Sequence, residues 1–336
     1  MKENGDKLLE VKGLKTYFHT QEGVVKAVDG ISFDLHRGEA LAVVGESGCG
    51  KSVTALSILN LVPDPPGKIE EGQILFEGKD LLEMGDKEIR QVRGNHIGMI
   101  FQDPMTSLNP VFTIGSQIRE PIQIHLGLSR KEARRRAIEL LELVEIPQAE
   151  KRYKMYPHEF SGGMRQRAMI AMALSCNPKM LIADEPSTAL DVTIQAQIME
   201  LIARLRRDKN LAVMLITHDL GVVAGMAETV LVMYAGKVVE YAEIDRIYYN
   251  SHHPYAWSLM RSVPRLDEKR ERLMTIGGSP PSLINLPGGC TFSPRCPFAE
   301  DICDREVPPL VEVEAGHFSA CHFAMDFEKH GREVAS

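Results

Sequence analysis

The sequence predicts an α/β protein with a mixed-sheet core, a helical subdomain at about residues 103–165 and a small C-terminal cysteine-rich module. Three observations carry this reading. Continuously apolar runs such as Ala40-Leu-Ala-Val-Val44 have the composition of buried parallel strands. Strand patterns stop near residue 113, give way to helical spacing, and return at Met180. Four of the six cysteines, Cys290, Cys296, Cys303 and Cys321, crowd the C-terminal end.

Taken in order, Leu8–Val11, Val24–Val28 and Ile31–Leu35 alternate apolar and polar residues and predict strands. Ala40–Val44 feeds a glycine-rich loop, and Ser52–Leu61 follows as a helix. Asp64-Pro-Pro-Gly67 predicts a turn, and Gly72–Phe76 and Ile97–Phe101 predict further strands. Ser129-Arg-Lys-Glu132 fits a capping box, opening a helix whose apolar positions include Ile138, Leu141 and Val144. Arg134-Arg-Arg136 reads as a solvated helix face. Strands return at Met180–Ala183, Val213–Thr217 and Thr229–Tyr234. Beyond Tyr241 the periodicity weakens, and prolines and glycines at 264–290 read as a linker to the cysteine module. The expected division is therefore a domain at 1–250 and an extension at 251–336.

Composition narrows the function. The net charge of −7 supplies no basic field for nucleic acid, so no nucleic-acid partner is expected. No run approaches the ~18 apolar residues of a membrane span, and the N-terminal segment lacks the apolar core of a secretory signal. A cytoplasmic protein is expected, with other chains supplying any membrane spans. In that compartment clustered cysteines read more readily as metal or iron–sulfur ligands than as disulfides.

The chemistry lies in three motifs. Gly45-Glu-Ser-Gly-Cys-Gly-Lys51-Ser52 matches G-x-x-x-x-G-K-[ST], a loop whose backbone N–H groups wrap phosphates. Gly45, Ser47, Gly48, Cys49, Gly50, Lys51, Ser52 and Val53 form the expected nucleotide-binding set. Lys51 would reach the β- and γ-phosphates, and the Ser52 hydroxyl would ligate Mg²⁺. Leu181-Ile-Ala-Asp184-Glu185 ends an apolar strand in two carboxylates: Asp184 suits Mg²⁺, and Glu185 can act as general base on the attacking water. Ser161, Gly162 and Gly163 precede a helix and offer a hydroxyl and backbone N–H groups to an anion.

In this order and spacing, the three motifs resemble those of ATP-binding cassette (ABC) proteins, a branch of the P-loop NTPases. The resemblance implies that Ser161-Gly162-Gly163 caps the γ-phosphate of ATP held by an opposite subunit. It implies that Asp191, in Ala189-Leu190-Asp191, belongs to the loop that touches that subunit; the same residue reads equally as a helix N-cap. It places His218 at the γ-phosphate and Gln102 where Mg²⁺ and the γ-phosphate are sensed, making Glu185, His218, Lys51 and Gln102 the catalytic set. An aromatic should stack on adenine; Phe18 fits best by its distance from the loop, with Tyr17 as the alternative.

The resemblance sharpens toward the ATPases of dipeptide and oligopeptide importers. Phe101-Gln-Asp-Pro-Met-Thr-Ser-Leu-Asn-Pro110, Glu159–Arg167, His253-Pro-Tyr255 and Gly289-Cys-Thr-Phe-Ser-Pro-Arg-Cys-Pro297 carry it, and it extends over residues ~8–322. Nickel importers share these features. It implies an ATPase at the cytoplasmic face of the membrane, bound peripherally. Its partners would be a second such ATPase, identical or not, two membrane permeases and, indirectly, an extracytoplasmic peptide-binding protein. A soluble ABC ATPase outside transport is the rival reading; the single cassette and acidic charge argue against it.

The spacing C-x5-C-x6-C-x17-C lacks the close pairs usual for zinc, and four thiolates at looser spacing suit a [4Fe–4S] cluster. The resemblance to the family's C-terminal module implies the same cluster, with zinc or no metal as the alternatives. ATP, Mg²⁺ and this cluster are the expected cofactors. The module lies over a hundred residues beyond the ATP site, and air exposure is expected to loosen it while leaving that site largely intact.

Overall fold

A computed structural model describes residues 7–187, 190–262 and 276–324. Among the described residues the strands are β1 (Lys7–Thr20), β2 (Gly23–His36), β3 (Ala40–Val44), β4 (Gly67–Phe76), β5 (Lys79–Asp80) and β6 (Ile97–Ile100). They continue with β7 (Met180–Asp184), β8 (Ala212–Thr217), β9 (Thr229–Tyr234), β10 (Lys237–Glu243), β11 (Val311–Glu314) and β12 (His317–Ser319). The chain forms two compact units, and the sequence weaves between them. The first comprises residues 1–8, 35–39 and 80–216; the second comprises 9–34, 40–79 and 217–336.

The first unit contains the parallel run β6–β7–β8, with Ile97 opposite Met180 and Met180 opposite Ala212. Met180–Asp184 is buried at every position, which explains its lack of alternation. The expected helical stretch is here. Helix Ile114–Leu126 starts at Thr113 and ends at Gly127, whose φ of 64° suits a left-handed stop. Helix Arg130–Leu143 opens on the expected capping box: the Ser129 hydroxyl accepts from the Glu132 N–H at 3.3 Å, and the Glu132 carboxylate accepts from the Ser129 N–H at 3.0 Å. Leu141 and Val144 are buried, whereas Ile138 is only partly covered. Of the three arginines only Arg135 is exposed; Arg134 and Arg136 are half-buried and donate to Glu150 at 2.8 Å and Asn177 at 2.5 Å.

The second unit contains two sheets. One has the order β2–β1–β4–β5. The other is mixed: β3 runs parallel to β9, and β9, β10, β12 and β11 follow as antiparallel neighbours. The short segments predicted at Leu8–Val11, Val24–Val28 and Ile31–Leu35 are parts of two long strands, β1 and β2.

The C-terminal region is more regular than its weak periodicity suggests. Helices Ile244–Tyr249 and Pro254–Arg261 precede the cysteines, and β12 extends the sheet by pairing with β10, Glu240 opposite Ser319. Glu240 is wholly buried. It accepts from the backbone N–H groups of His252 and His253 at 2.6 and 3.0 Å and lies 2.7 Å from His317 Nε2. Buried carboxylates need such partners, so this cluster fixes the chain where it enters the extension. Residues 264–275 of the proline-rich linker at 264–290 lie outside the described residues.

Candidate nucleotide site and cysteine pocket

The phosphate loop follows β3 and opens helix Lys51–Ile58. Two glycines are demanded by geometry. Gly45 has φ 152°, and a Cβ there would stand 2.2 Å from the Met233 carbonyl oxygen; at Gly50, φ is 105° and the clash would be 2.1 Å with the Ala27 oxygen. The loop backbone therefore lies flush against its neighbours and turns as only glycine can. Lys51 is buried, and its ammonium donates to the Gly45 and Glu46 carbonyls at 2.8 and 3.0 Å. Cys49 is buried within the loop, and burial pushes its thiol up. That makes it a small packing residue rather than a nucleophile.

Strand β1 is tied to the loop's helix by a bond of 2.8 Å between the buried Thr16 and Ser57 hydroxyls. Beyond Thr16, the Tyr17 hydroxyl donates to Asp29 at 2.6 Å, and Phe18 lies opposite Gly67. The Phe18 ring fills the space a Gly67 Cβ would need.

In the first unit, Gln102 Nε2 donates to Glu185 Oε2 at 3.0 Å. The two are 83 residues apart in sequence. Asp184, the last residue of β7, is buried, while Gln102 is exposed. Glu185 has φ 45°, a left-handed conformation that a non-glycine residue adopts at some cost. Its N–H donates to the Ile216 carbonyl at 2.9 Å, which keeps the strand end turned there.

Ser161 caps helix Gly162–Ala173 and stands exposed with Gly162 at its first turn. A Cβ on Gly163 would meet Ile194 at 2.9 Å, so the helix start fits closely against the next helix. Asp191 caps that helix, Val192–Lys209, accepting from the Ile194 N–H at 3.0 Å. Ala189 lies outside the described residues. His218 is exposed, just before helix Leu220–Met226.

The segment after Gln102 departs from expectation. The sequence suggests that Asp103–Pro110 has no core role, yet Leu108 is only 2% exposed. The surface is formed instead by Met105, Val111 and Phe112, at 60, 71 and 54% exposure. Met105 touches the Arg165 guanidinium on the Ser161 helix, and Arg165 also donates to the Pro157 and Phe160 carbonyls.

Cys290, Cys296, Cys303 and Cys321 line one pocket with His253 and Phe292. Cys290 and Cys296 pack on the apolar core that includes Val44, Val232, Tyr234 and Tyr255. Burial pushes the Cys296 and Cys321 thiols up to about 12, and neighbouring cysteines add to the shift. Among the described residues no group of three or more histidine, cysteine or carboxylate side chains is placed to hold a metal ion. His322 lines the same pocket, whereas His317 is spent on Glu240.

Sequence reasoning gave no role to Arg295, Glu46 or Tyr255, although all three lie in runs that carry the resemblance. Arg295 forms a two-pronged ion pair with Glu46 of the phosphate loop, at 2.6 and 2.9 Å. The Tyr255 hydroxyl accepts from the Glu46 N–H at 2.9 Å. Spacing along the chain carries no signal for such a contact.

Comparison with known proteins gives the family. Residues 28–188 match the ABC transporter family, and residues 239–303 match the oligopeptide/dipeptide transporter C-terminal region. A probable peptide ABC transporter ATP-binding protein of Sinorhizobium fredii is 54% identical over 317 residues, covering 94% of this chain and 95% of that protein. An oligopeptide transport ATP-binding protein of Bacillus subtilis is also 54% identical, over 93% of this chain and 87% of its own length. Among solved structures, a dimeric ATP-binding cassette in a post-hydrolysis state with ADP and phosphate is 28% identical. It covers 70% of this chain and 98% of its own, with a TM-score of 0.63. The chain therefore belongs to the ATP-binding proteins of the ABC transporter family, in its oligopeptide/dipeptide branch.

Proposed function

We propose that this chain is the ATP-hydrolysing subunit of an importer that carries dipeptides and oligopeptides across the cytoplasmic membrane. The observation that carries the catalytic reading is the Gln102–Glu185 bond beside Asp184. It holds a carboxylate at a strand end, next to a second carboxylate suited to Mg²⁺. Glu185 is assigned as general base. Ser52, Asp184 and Gln102 are assigned to Mg²⁺, His218 to the γ-phosphate and Gly45, Ser47, Gly48, Cys49, Gly50, Lys51, Ser52 and Val53 to ATP. Phe18 is assigned to adenine, with Tyr17 as the alternative. The division at about residue 250 is kept as a functional one.

The proposed partners are a second ATPase of the same kind and two permeases, with a peptide-binding protein outside the membrane. The dimeric state of the related cassette supports the first, and exposed Ser161, Gly162 and Asp191 are assigned to that contact. Exposed Met105, Val111 and Phe112 support a permease contact. Among the described residues no helix is long and apolar enough to cross a membrane, in keeping with peripheral attachment through the permeases. The test is ATP-driven uptake of a labelled oligopeptide into vesicles holding this chain and its permeases. Uptake of nickel ions in place of peptide would overturn the cargo.

Cys290, Cys296, Cys303 and Cys321 are assigned to a [4Fe–4S] cluster, which would supply cross-links to a region with little core of its own. Their convergence on one pocket supports this. Anaerobically purified protein should contain about four irons and four sulfides per chain. One zinc without sulfide would replace the cluster.

A further inference from the structure

Glu46 is the second residue of the phosphate loop, and it is held at three points. Its carbonyl accepts from Lys51 at 3.0 Å, and its N–H donates to the Tyr255 hydroxyl at 2.9 Å. Its carboxylate takes both prongs of the Arg295 guanidinium, Nη1 at 2.6 Å and Nη2 at 2.9 Å. The carbonyl is held from within the loop, where the Cys49 N–H also donates to it at 3.3 Å, whereas Tyr255 and Arg295 lie outside the loop.

Arg295 is held in turn. Its side chain is 5% exposed. Nη1 also donates to the Tyr234 hydroxyl at 3.2 Å, and Nε donates to the Gly277 carbonyl at 2.8 Å. The guanidinium carbon lies 5.7 Å from the Tyr234 ring centre and 6.0 Å from that of Phe292. Tyr234, Tyr255 and Phe292 pack together with ring centres 4.6 to 5.4 Å apart. Arg295 ends the short helical turn Ser293–Arg295, between Cys290 and Cys296. Its place is set by the cysteine module, and a paired, buried fork of this kind is rigid in direction as well as distance.

We infer that Arg295 is a positioning residue for ATP, through which the C-terminal module holds the phosphate loop in its binding shape. The inference rests on the reading of Gly45–Ser52 as the ATP site. It deepens that reading by making nucleotide affinity depend on a module over two hundred residues further along the chain. The independence suggested by sequence distance gives way to a direct contact. The effect falls on affinity rather than chemistry, because Arg295 touches Glu46 and none of the residues assigned to hydrolysis. A loop released from Arg295 spends less time in the competent shape, and apparent affinity falls by that fraction while turnover at saturation is kept.

The test uses the full-length protein and a fluorescent ATP analogue. Arg295→Ala should raise its Kd by about tenfold and raise the KM for ATP in parallel, with kcat at saturating ATP within about twofold of wild type. Arg295→Lys should recover part of the affinity, since an ammonium cannot fill both prongs. In a double-mutant cycle, Glu46→Gln and Arg295→Ala together should cost no more than either alone. If Arg295→Ala fails to fold, Arg295→Lys and Glu46→Gln carry the same test, read as hydrogen exchange at the loop amides and as Kd. A wild-type chain that binds the analogue, with both variants within twofold of it, would overturn the inference alone. A fall in kcat without change in KM would also overturn it. A wild-type chain that binds no analogue would overturn the ATP-site reading, and the inference with it.

Discussion

Replacing Glu185 with Gln tests the catalytic assignment most directly, because the structure isolates the chemistry from everything else. Gln has the size of Glu, and its side-chain oxygen can still accept from Gln102 Nε2 at the observed 3.0 Å. The left-handed backbone at φ 45° and the 2.9 Å bond from the Glu185 N–H to the Ile216 carbonyl are untouched. Folding stability should therefore stay within ~0.5 kcal/mol of wild type, as for a substitution that leaves packing and strain alone. Only the capacity to take a proton from water is lost. General-base contributions of about 10²–10⁴ in rate correspond to ~3–5 kcal/mol of barrier. The assay is steady-state phosphate release at saturating ATP, beside equilibrium ATP binding and size-exclusion chromatography with ATP. Turnover should fall by at least about a hundredfold, ATP affinity should be retained, and an ATP-bound dimer should accumulate. A turnover within about threefold of wild type would refute the assignment of Glu185, and the reasoning from its bond with Gln102 would fall with it.

Three further outcomes are expected. A mixture of Ser161→Arg and Lys51→Ala chains should regain activity that neither has alone, because a mixed dimer keeps one intact composite site; mixed dimers without regained activity would show that Ser161 acts within its own chain. Met105→Ser with Phe112→Ser should spare the ATPase of the isolated chain and reduce peptide uptake, whereas Leu108→Ser, at a buried position, should cost ~2–4 kcal/mol of stability in a denaturant titration; uptake unchanged by the first pair would remove the docking role. Cys303→Ser should lower iron content and thermal midpoint together, and iron content equal to wild type would exclude Cys303 as a ligand.

The sequence by itself determined the elements whose signal is local. A phosphate loop needs glycines at fixed places in a single turn, so Gly45, Gly50 and Lys51 could be read from eight consecutive residues. The buried strands Ala40–Val44 and Met180–Asp184 declared themselves through unbroken apolar runs, and the capping box at Ser129–Glu132 through two side chains three apart. Tertiary structure alone decided what depends on distant pairing. Gln102 meets Glu185 across 83 residues, and Arg295 meets Glu46 across 249. The burial of Glu240 has no local signal, and only the approach of His252, His253 and His317 explains how it is buried at all. Leu108 looked like part of an exposed loop because six of its neighbours at 103–110 are polar or proline; its burial depends on a surface that the local sequence does not contain. Periodicity and turn chemistry are written in neighbouring residues, while a hydrogen bond or ion pair between distant ones exists only once the backbone has brought them together.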